Sequence, residues 1–221
     1  PGFVLEDVRD KDIPAIARRI VWGRFTNAGQ TCVAIDYLLV HKLRHERLVH
    51  EIKRVMEEEF YPSLDKDDTS YTHVIHDRAF NNMVKYLEAS SGDIVTGGER
   101  DAASRFFAPT VVDNCTWDDL LMQQEIFGPL LPILEYDGLD LAVTELILRH
   151  DTPLALYVFL SNLARGKNVQ LEEILTRVRL GGAIINDSIL HVGLSNAPFG
   201  GIGELGYGAY HGEHSFKAFS H

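Results

Sequence analysis

Cysteine is scarce in this sequence, because the 221 residues contain only Cys32 and Cys115. Two cysteines so far apart do not make the disulfide framework of a small secreted domain, so we expect a reducing, cytosol-like compartment. Long uncharged apolar runs are also missing, and the sequence predicts no segment that crosses a bilayer. A formal net charge of −11 without any basic stripe argues against a nucleic-acid partner.

The composition present is that of an ordinary soluble globular protein, with 45% hydrophobic and 24% charged residues. The chain begins at Pro1 without a methionine, and no sequence resembling a signal peptide follows. We therefore expect it to be a piece of a longer protein.

Apolar patterns of two periods alternate along the chain. Continuous apolar runs predict strands at 3–5, 37–40, 94–95, 109–112, 130–136, 154–160 and 181–187. Helical stripes predict helices near 13–20, 48–60, 80–87, 139–147 and 174–178, with Asp12 and Asp77 as caps of two of them. Strands that alternate with helices imply a mostly parallel sheet with helices on both faces. No repeat or linker interrupts it, so we predict one α/β domain over residues 1–221.

Three motifs suggest a functional site, but the residues around each of them do not support that function. The stretch "GIGELG" at 201–206 matches a dinucleotide fingerprint, but no strand precedes it and no amphipathic helix follows. His45 and His50 are five residues apart and cannot share a helix face, so they do not bind one zinc ion, and no metal site is predicted. Cys115 has no glycine turn beside it, and we interpret it as a packing residue.

Cys32 stands in a different context. It follows the small, flexible residues Asn27, Ala28 and Gly29 between a helical stripe and an apolar run. Such residues let the backbone approach a ligand closely, and a reactive thiol needs this accessibility. The residues alone leave two interpretations open, a reactive thiol and an inert core cysteine.

Glu125 and Phe127 precede the strand at 130–136, and a glycine-rich run covers 198–208. A carboxylate next to an aromatic ring can hold sugar hydroxyls while the ring packs on a flat heterocycle. A solvated glutamate and a core phenylalanine explain the same residues. A loop so rich in glycine is either mobile or wrapped against a ligand or partner.

Taken together, these stretches resemble the aldehyde dehydrogenases over the whole chain. The motifs are "GQTC" at 29–32, "APTV" at 108–111, "EIFGP" at 125–129, "IIND" at 184–187 and "PFGG" at 198–201. The phrases "RRIVWGRF", "PLALYVF", "GAYHG" and "SFKAFSH" are similar to the fatty-aldehyde (class 3) branch. The phrases "DYLLVHK" and "HVGLSNAPFGGIG" further resemble a fungal member.

The resemblance implies a role for the candidate residues. Cys32 matches the nucleophile, which attacks an aldehyde to give a thiohemiacetal, passes hydride to NAD (or NADP) and leaves a thioester for hydrolysis. Its backbone N–H would help hold the oxyanion. Glu125 would bind the nicotinamide ribose and Phe127 would pack near the nicotinamide. Asn186 would support the cysteine loop, and His191 and Phe199 would line the substrate entrance.

The resemblance also implies a small-molecule aldehyde as substrate and a homodimer as the parent protein. It places the parent in the cytoplasm or on the cytosolic face of an organelle membrane, held there only through a tail outside this chain. The family's Glu-Leu-Gly-Gly-Lys motif, with its general-base glutamate, and the cofactor-binding domain would lie upstream of Pro1. We therefore expect this catalytic domain to be inactive by itself.

The chain departs from the family pattern at one place, and two other functions stay open. The chain has Leu205 and Gly206 where the family usually has Ser-Gly, so local hydrogen bonding in that loop is expected to differ. Cys32 could instead serve a cysteine hydrolase together with one of the ten histidines. The chain could also be a non-catalytic oligomerisation fragment.

Overall fold

The computed structural model describes residues 1–150, 152–162 and 168–220. Its strands are β1 (Gly2–Val4), β2 (Leu38–His41), β3 (Asp93–Thr96), β4 (Arg100–Asp101), β5 (Phe106–Phe107), β6 (Thr110–Asp113), β7 (Leu130–Tyr136), β8 (Ala155–Phe159) and β9 (Gly182–Ile185). Its helices are α1 (Ile13–Phe25), α2 (Lys42–Arg54), α3 (Asp77–Ala89), α4 (Leu139–Arg149), α5 (Val169–Arg177) and α6 (Gly212–Ala218). None of the helices in this part of the chain has the length and apolar character of a membrane span.

Seven of the described strands form one sheet in the order β3-β6-β7-β2-β1-β8-β9. All neighbours run parallel except β3, which pairs antiparallel with β6 at one edge. The first strand, β1, lies inside the sheet between β2 and β8, since Gly2 is in register with Leu38 of β2 and with Tyr157 of β8. The predicted mostly parallel α/β sheet is confirmed.

Helices cover both faces of the sheet, as predicted. Side chains of α1 and α2 form one core with the strands, and those of α3, α4 and α5 form the other. Along β8, Leu156 and Val158 enter the second core while Tyr157 and Phe159 enter the first. This alternation follows from the two-residue period of a strand. Burying each such side chain contributes about 1.5–3 kcal/mol.

The helix starts differ in detail from the predicted caps. Asp12 does occupy the cap position of α1, but its carboxylate accepts hydrogen bonds from Arg9 and Ser161 instead of capping the helix. The helix α3 begins at Asp77, and its cap is His76, whose ring accepts a hydrogen bond from the Ala79 N–H. Imidazole nitrogen can serve as a cap acceptor, which sequence rules based on Asp, Asn, Ser and Thr do not anticipate.

Three local elements were outside the sequence prediction. The strands β4 and β5 form a separate two-stranded antiparallel ribbon of two residues each, too short to leave a pattern. Residues 55–60 lie within the predicted helix near 48–60, and only the π-helical turn by which they continue α2 was not predicted. The helix α6 contains no buried residue, so it carries no apolar stripe from which to predict it.

Candidate active site

An open cleft of about 430 Å³ lies at the amino ends of four central strands. Pro1 precedes β1, Tyr37 precedes β2 and Leu154 precedes β8, and all three line the cleft, which also reaches the segment before β7. Ligands of open parallel sheets usually bind at the carboxyl ends of the strands. In this chain, the cleft that Cys32 lines lies at the amino ends of the strands instead.

The structure brings Cys32, Glu125 and Phe127 together at this cleft. The three lie on two loops 93 residues apart in sequence, and β2 and β7, which follow these loops, are neighbours in the sheet. The glycine-rich loop also reaches it, because Leu205 lines the same cleft. The motifs that carry Cys32 and Glu125, far apart in the sequence, thus meet at one place.

The loop that carries Cys32 joins α1 to β2 and covers residues 26–37, and we call it the cysteine loop. It begins with an unusual backbone. Asn27, Ala28 and Gly29 follow α1 with φ angles of 55°, 51° and 69°, all in the left-handed region. Non-glycine residues there cost of order 1–3 kcal/mol each, and such strain clusters at functional sites. Cys32 is exposed at the end of this turn. Its backbone N–H makes no hydrogen bond to any residue that the structure describes.

Hydrogen bonds hold the cysteine loop on both sides of the thiol. The hydroxyl of Tyr157, in β8, donates to the Val33 carbonyl at 2.5 Å. On the other side, the Gln30 amide donates to the His73 carbonyl at 3.1 Å and accepts from the Ile75 N–H at 2.9 Å. These contacts tie an exposed thiol to a fixed backbone, which is the arrangement that a positioned nucleophile needs.

The segment before β7 carries the second half of the site. Phe127 has a φ of 48° and is 42% exposed, so the strained backbone presents its ring to the cleft. The Glu125 side chain is accessible to solvent, but the cleft walls remove part of its hydration. This burial and the charge of Asp36 raise the pKa of Glu125, and Arg24 opposes the rise.

His191 and Phe199 do not line this cleft. The His191 ring lies 6.1 Å from the ring of Tyr157 and 5.5 Å from that of Phe199. Both ring nitrogens of His191 are buried without a hydrogen-bond partner in the described structure, and burial lowers its pKa. Their predicted place at the substrate entrance stays a prediction.

Asn186 lies at the carboxyl end of β9, with a φ of 57°. Its side-chain oxygen accepts a hydrogen bond from the Leu160 N–H at 2.8 Å, which closes the end of β8. No hydrogen bond joins it to the cysteine loop among the residues that the structure describes. Its predicted support of that loop stays a prediction.

Cys115, His45 and His50 lie in three different environments. Cys115 is buried, and burial raises the pKa of its thiol to about 12. His50 is exposed, whereas His45 is buried against Asp113, with 2.7 Å between the ring Nε2 and the carboxylate. The two imidazoles therefore face different surroundings, as their spacing predicted.

Arg24 is a site residue that was not predicted from the sequence. Its side chain is fully buried beneath the cleft, although it belongs to α1. A signal was available, because Arg24 follows Ile20 by four residues and so continues the apolar stripe of the helix. An arginine on a buried stripe indicates a specific buried partner.

Comparison with known sequences identifies the family of the chain. The model of the aldehyde dehydrogenase family matches residues 1–221. A fatty aldehyde dehydrogenase of Saccharomyces cerevisiae, HFD1, is 40% identical over 226 residues, which cover 100% of this chain and 41% of that protein. The aldehyde dehydrogenase family 3 protein comG of Dictyostelium discoideum is 42% identical over 213 residues, covering 96% of this chain and 43% of the relative. The chain belongs to the aldehyde dehydrogenase family, and it spans less than half the length of these two relatives.

Solved structures share the fold. The substrate-bound AldH of Staphylococcus aureus matches with a TM-score of 0.90 at 36% identity, over 100% of this chain and 46% of that one. An NAD-dependent aldehyde dehydrogenase from Sinorhizobium meliloti matches with a TM-score of 0.82 at 26% identity, over 100% and 43%. An NADP-dependent glyceraldehyde-3-phosphate dehydrogenase from Bacillus halodurans, in complex with NADP, gives 0.80 at 25% identity, over 96% and 42%.

Proposed function

We propose that this chain is the nucleophile-bearing domain of an NAD(P)-dependent aldehyde dehydrogenase that oxidises fatty aldehydes to carboxylic acids. The observation that carries the proposal is the meeting of the exposed Cys32, on a strained and anchored loop, with Glu125 and Phe127 in one cleft. Family membership supports the reaction class, and the yeast relative's name supports the fatty-aldehyde substrate.

Cys32 acts as the nucleophile. Its thiolate adds to the aldehyde carbon, and the carbonyl oxygen becomes an oxyanion in a thiohemiacetal. The Cys32 N–H, which has no partner in the described structure, is free to donate to that oxygen. One well-aimed donor of this kind contributes about 3 kcal/mol to lowering the barrier.

The cleft fits a nicotinamide cofactor. The Phe127 ring stands partly exposed and can pack on a flat heterocycle, while the Glu125 carboxylate can accept hydrogen bonds from ribose hydroxyls. Bound NAD(P) supplies the hydride acceptor. Relatives that use NAD and NADP support both cofactors, and these two residues would hold the part that the two share.

The remaining steps need residues outside this chain. Oxidation leaves an acyl group on Cys32, and its hydrolysis requires a base that activates water. We propose that this base, and the domain that binds the rest of the cofactor, belong to the part of the longer protein upstream of Pro1. We therefore propose that the longer protein is the active enzyme, that it acts as a homodimer, and that the isolated chain oxidises no aldehyde.

A cysteine hydrolase is supported less well. His150 is the histidine that shares the cleft with Cys32 among the described residues. Its ring packs against Tyr37 and Trp117 at 5.2 and 5.5 Å, and burial lowers its pKa. The structure shows no hydrogen bond from this ring to Cys32, so no activated pair is present.

The test uses the longer protein with a long-chain aldehyde and NAD⁺, and follows the absorbance of NADH. We expect steady turnover that is lost in Cys32→Ala and kept in Cys115→Ala, the matched control at the buried cysteine. Turnover that survives Cys32→Ala would refute the proposal. The isolated chain in the same mixture should give no NADH, and sustained turnover there would show that it is a complete enzyme.

A further inference from the structure

Arg24 joins two segments of the site through hydrogen bonds. Its Nη1 donates to the Ile35 carbonyl at 3.0 Å and to Oδ1 of Asp36 at 3.3 Å. Its Nη2 donates to the Gly128 carbonyl at 2.5 Å. Ile35 and Asp36 end the cysteine loop, whereas Gly128 ends the segment that carries Glu125 and Phe127. One guanidinium therefore binds both halves of the site.

Asp36 makes a second connection between the same segments. Its Oδ1 accepts a hydrogen bond from the Ile126 N–H at 3.3 Å while it receives the bond from Arg24. The backbones also touch, since a Cβ on Gly29 would lie 2.3 Å from the Gly128 carbonyl oxygen. Glycine at 29 permits this approach, and its φ of 69° suits the left-handed turn. The segments meet without a side chain between them.

A buried guanidinium is costly, and this one is incompletely satisfied. The Arg24 Nε is buried without a hydrogen-bond partner in the described structure. Burial lowers the pKa of Arg24 while Asp36 raises it, and a guanidinium keeps its charge in proteins. An apolar side chain would fill the same core more cheaply. The geometry is explained if the planar fork of arginine is needed to hold two carbonyls and a carboxylate at once.

We propose that Arg24 and Asp36 form a positioning bridge that fixes the distance between Cys32 and the Glu125–Phe127 segment. The proposal rests on the proposed function, because the reaction needs the thiol and the cofactor at one fixed separation. Neither residue of the Arg24–Asp36 bridge reacts. Their contribution is to keep the two loops in register, and a misplacement of about 1 Å can cost about 100-fold in rate.

The bridge predicts a split between two activities of Cys32. Alkylation by iodoacetamide without cofactor needs only an accessible thiol, whereas aldehyde oxidation needs the thiol and the cofactor segment together. Lysine at position 24 keeps the charge but is a point donor that cannot span the same acceptors. Asparagine at position 36 keeps the shape of the carboxylate and removes its charge.

The experiment compares Arg24→Lys and Asp36→Asn with the wild type in the longer protein. We expect kcat for aldehyde oxidation to fall about 10- to 100-fold in Arg24→Lys. Alkylation of Cys32 without cofactor should change less than about threefold. Asp36→Asn, which is the second variant should Arg24→Lys fail to fold, should show the same split. The double variant should lose less than the product of the single losses, because both residues act on one bridge.

The matched control is Arg54→Lys. Arg54, like Arg24, contacts three acceptor groups at once, in this case the carboxylates of Glu51, Glu58 and Glu59. It differs in its place, since it ends α2 and does not line the cleft. The kcat of Arg54→Lys for aldehyde oxidation should stay at the wild-type value. An unchanged kcat in both bridge variants overturns the proposal. So does an equal fall of kcat and alkylation, which would mean that Arg24 merely holds the fold of the cysteine loop.

Failure of the proposed function gives a different result. A wild-type protein that oxidises no aldehyde refutes the proposed function, and the bridge is then judged by alkylation with and without NAD⁺. We expect NAD⁺ to change the alkylation rate of Cys32 at least about threefold in the wild type and less in Arg24→Lys. An equal effect of NAD⁺ on the two proteins, or none on either, contradicts the bridge.

Discussion

We expect iodoacetamide to label Cys32 at least about 100-fold faster than Cys115 in the folded chain at about pH 8. Access and thiolate fraction govern alkylation, and burial reduces both for Cys115. Cys32 is exposed on its loop, whereas Cys115 is 6% exposed and its Sγ donates to the Val112 carbonyl at 3.4 Å.

The magnitude follows from the pKa of Cys115. A thiol whose pKa is about 12 is ionised to about one part in ten thousand at pH 8. A free cysteine, with a pKa of about 8.5, is ionised to about a quarter. Thiolate fraction alone therefore slows Cys115 about 2,000-fold relative to a free cysteine, and its burial adds to the difference.

The assay is peptide mass mapping after timed exposure to iodoacetamide. Cys32→Ala should remove the fast label, and Cys115→Ala should leave it unchanged. Labelling in urea serves as the control, since both thiols should then react at similar rates. Equal labelling of the two cysteines in the folded chain, or faster labelling of Cys115, would refute the assignment of Cys32 as the reactive thiol.

Three further outcomes test other parts of the account. In the longer protein, Glu125→Gln should raise the KM for NAD⁺ about 10- to 100-fold by removing the charge on the ribose acceptor, and an unchanged KM in steady-state assays would make Glu125 a surface carboxylate. Asp113 raises the pKa of His45 above its ordinary 6.5, so this pair should stabilise the chain below that pH and lose its effect as pH rises through the folded pKa. Urea unfolding of wild type and His45→Gln should therefore differ more at about pH 6 than at about pH 9, and an equal difference would contradict the pairing. Leu156→Ala should cost about 2–5 kcal/mol in the same assay, against less than about 0.5 kcal/mol for the exposed Leu148→Ala.

The regular elements could be predicted because burial leaves a period in the sequence. Residues 130–136 and 154–160 are almost wholly apolar, and they became the buried strands β7 and β8. The helix α1 was likewise visible from Ile13, Ile16 and Ile20 on one face. The ends of the helices were harder to predict, because a cap such as His76 depends on one hydrogen bond and leaves no pattern in the sequence.

The position of the site could not be derived from residue patterns alone. The cleft forms where the amino ends of β1, β2, β7 and β8 meet, and that adjacency depends on pairing across as many as 155 residues. Arg24 illustrates the same limit. Its helical spacing marks it as buried, but only the folded chain shows that Gly128 and Asp36 are its partners. The motifs near Cys32 and Glu125 predict the chemistry, and the fold shows that these residues share one cleft.

The central claim, that Cys32 carries the acyl group during aldehyde oxidation, is tested most directly by mass spectrometry of the longer protein. The protein is mixed with a long-chain aldehyde and NAD⁺, quenched in acid within the first turnovers, and digested for peptide mapping. We expect the Cys32 peptide to gain the mass of the acyl group as a thioester, and Cys115 to stay unmodified. Rapid NADH formation with no acyl group on Cys32, or with the acyl group on another residue, would contradict the account.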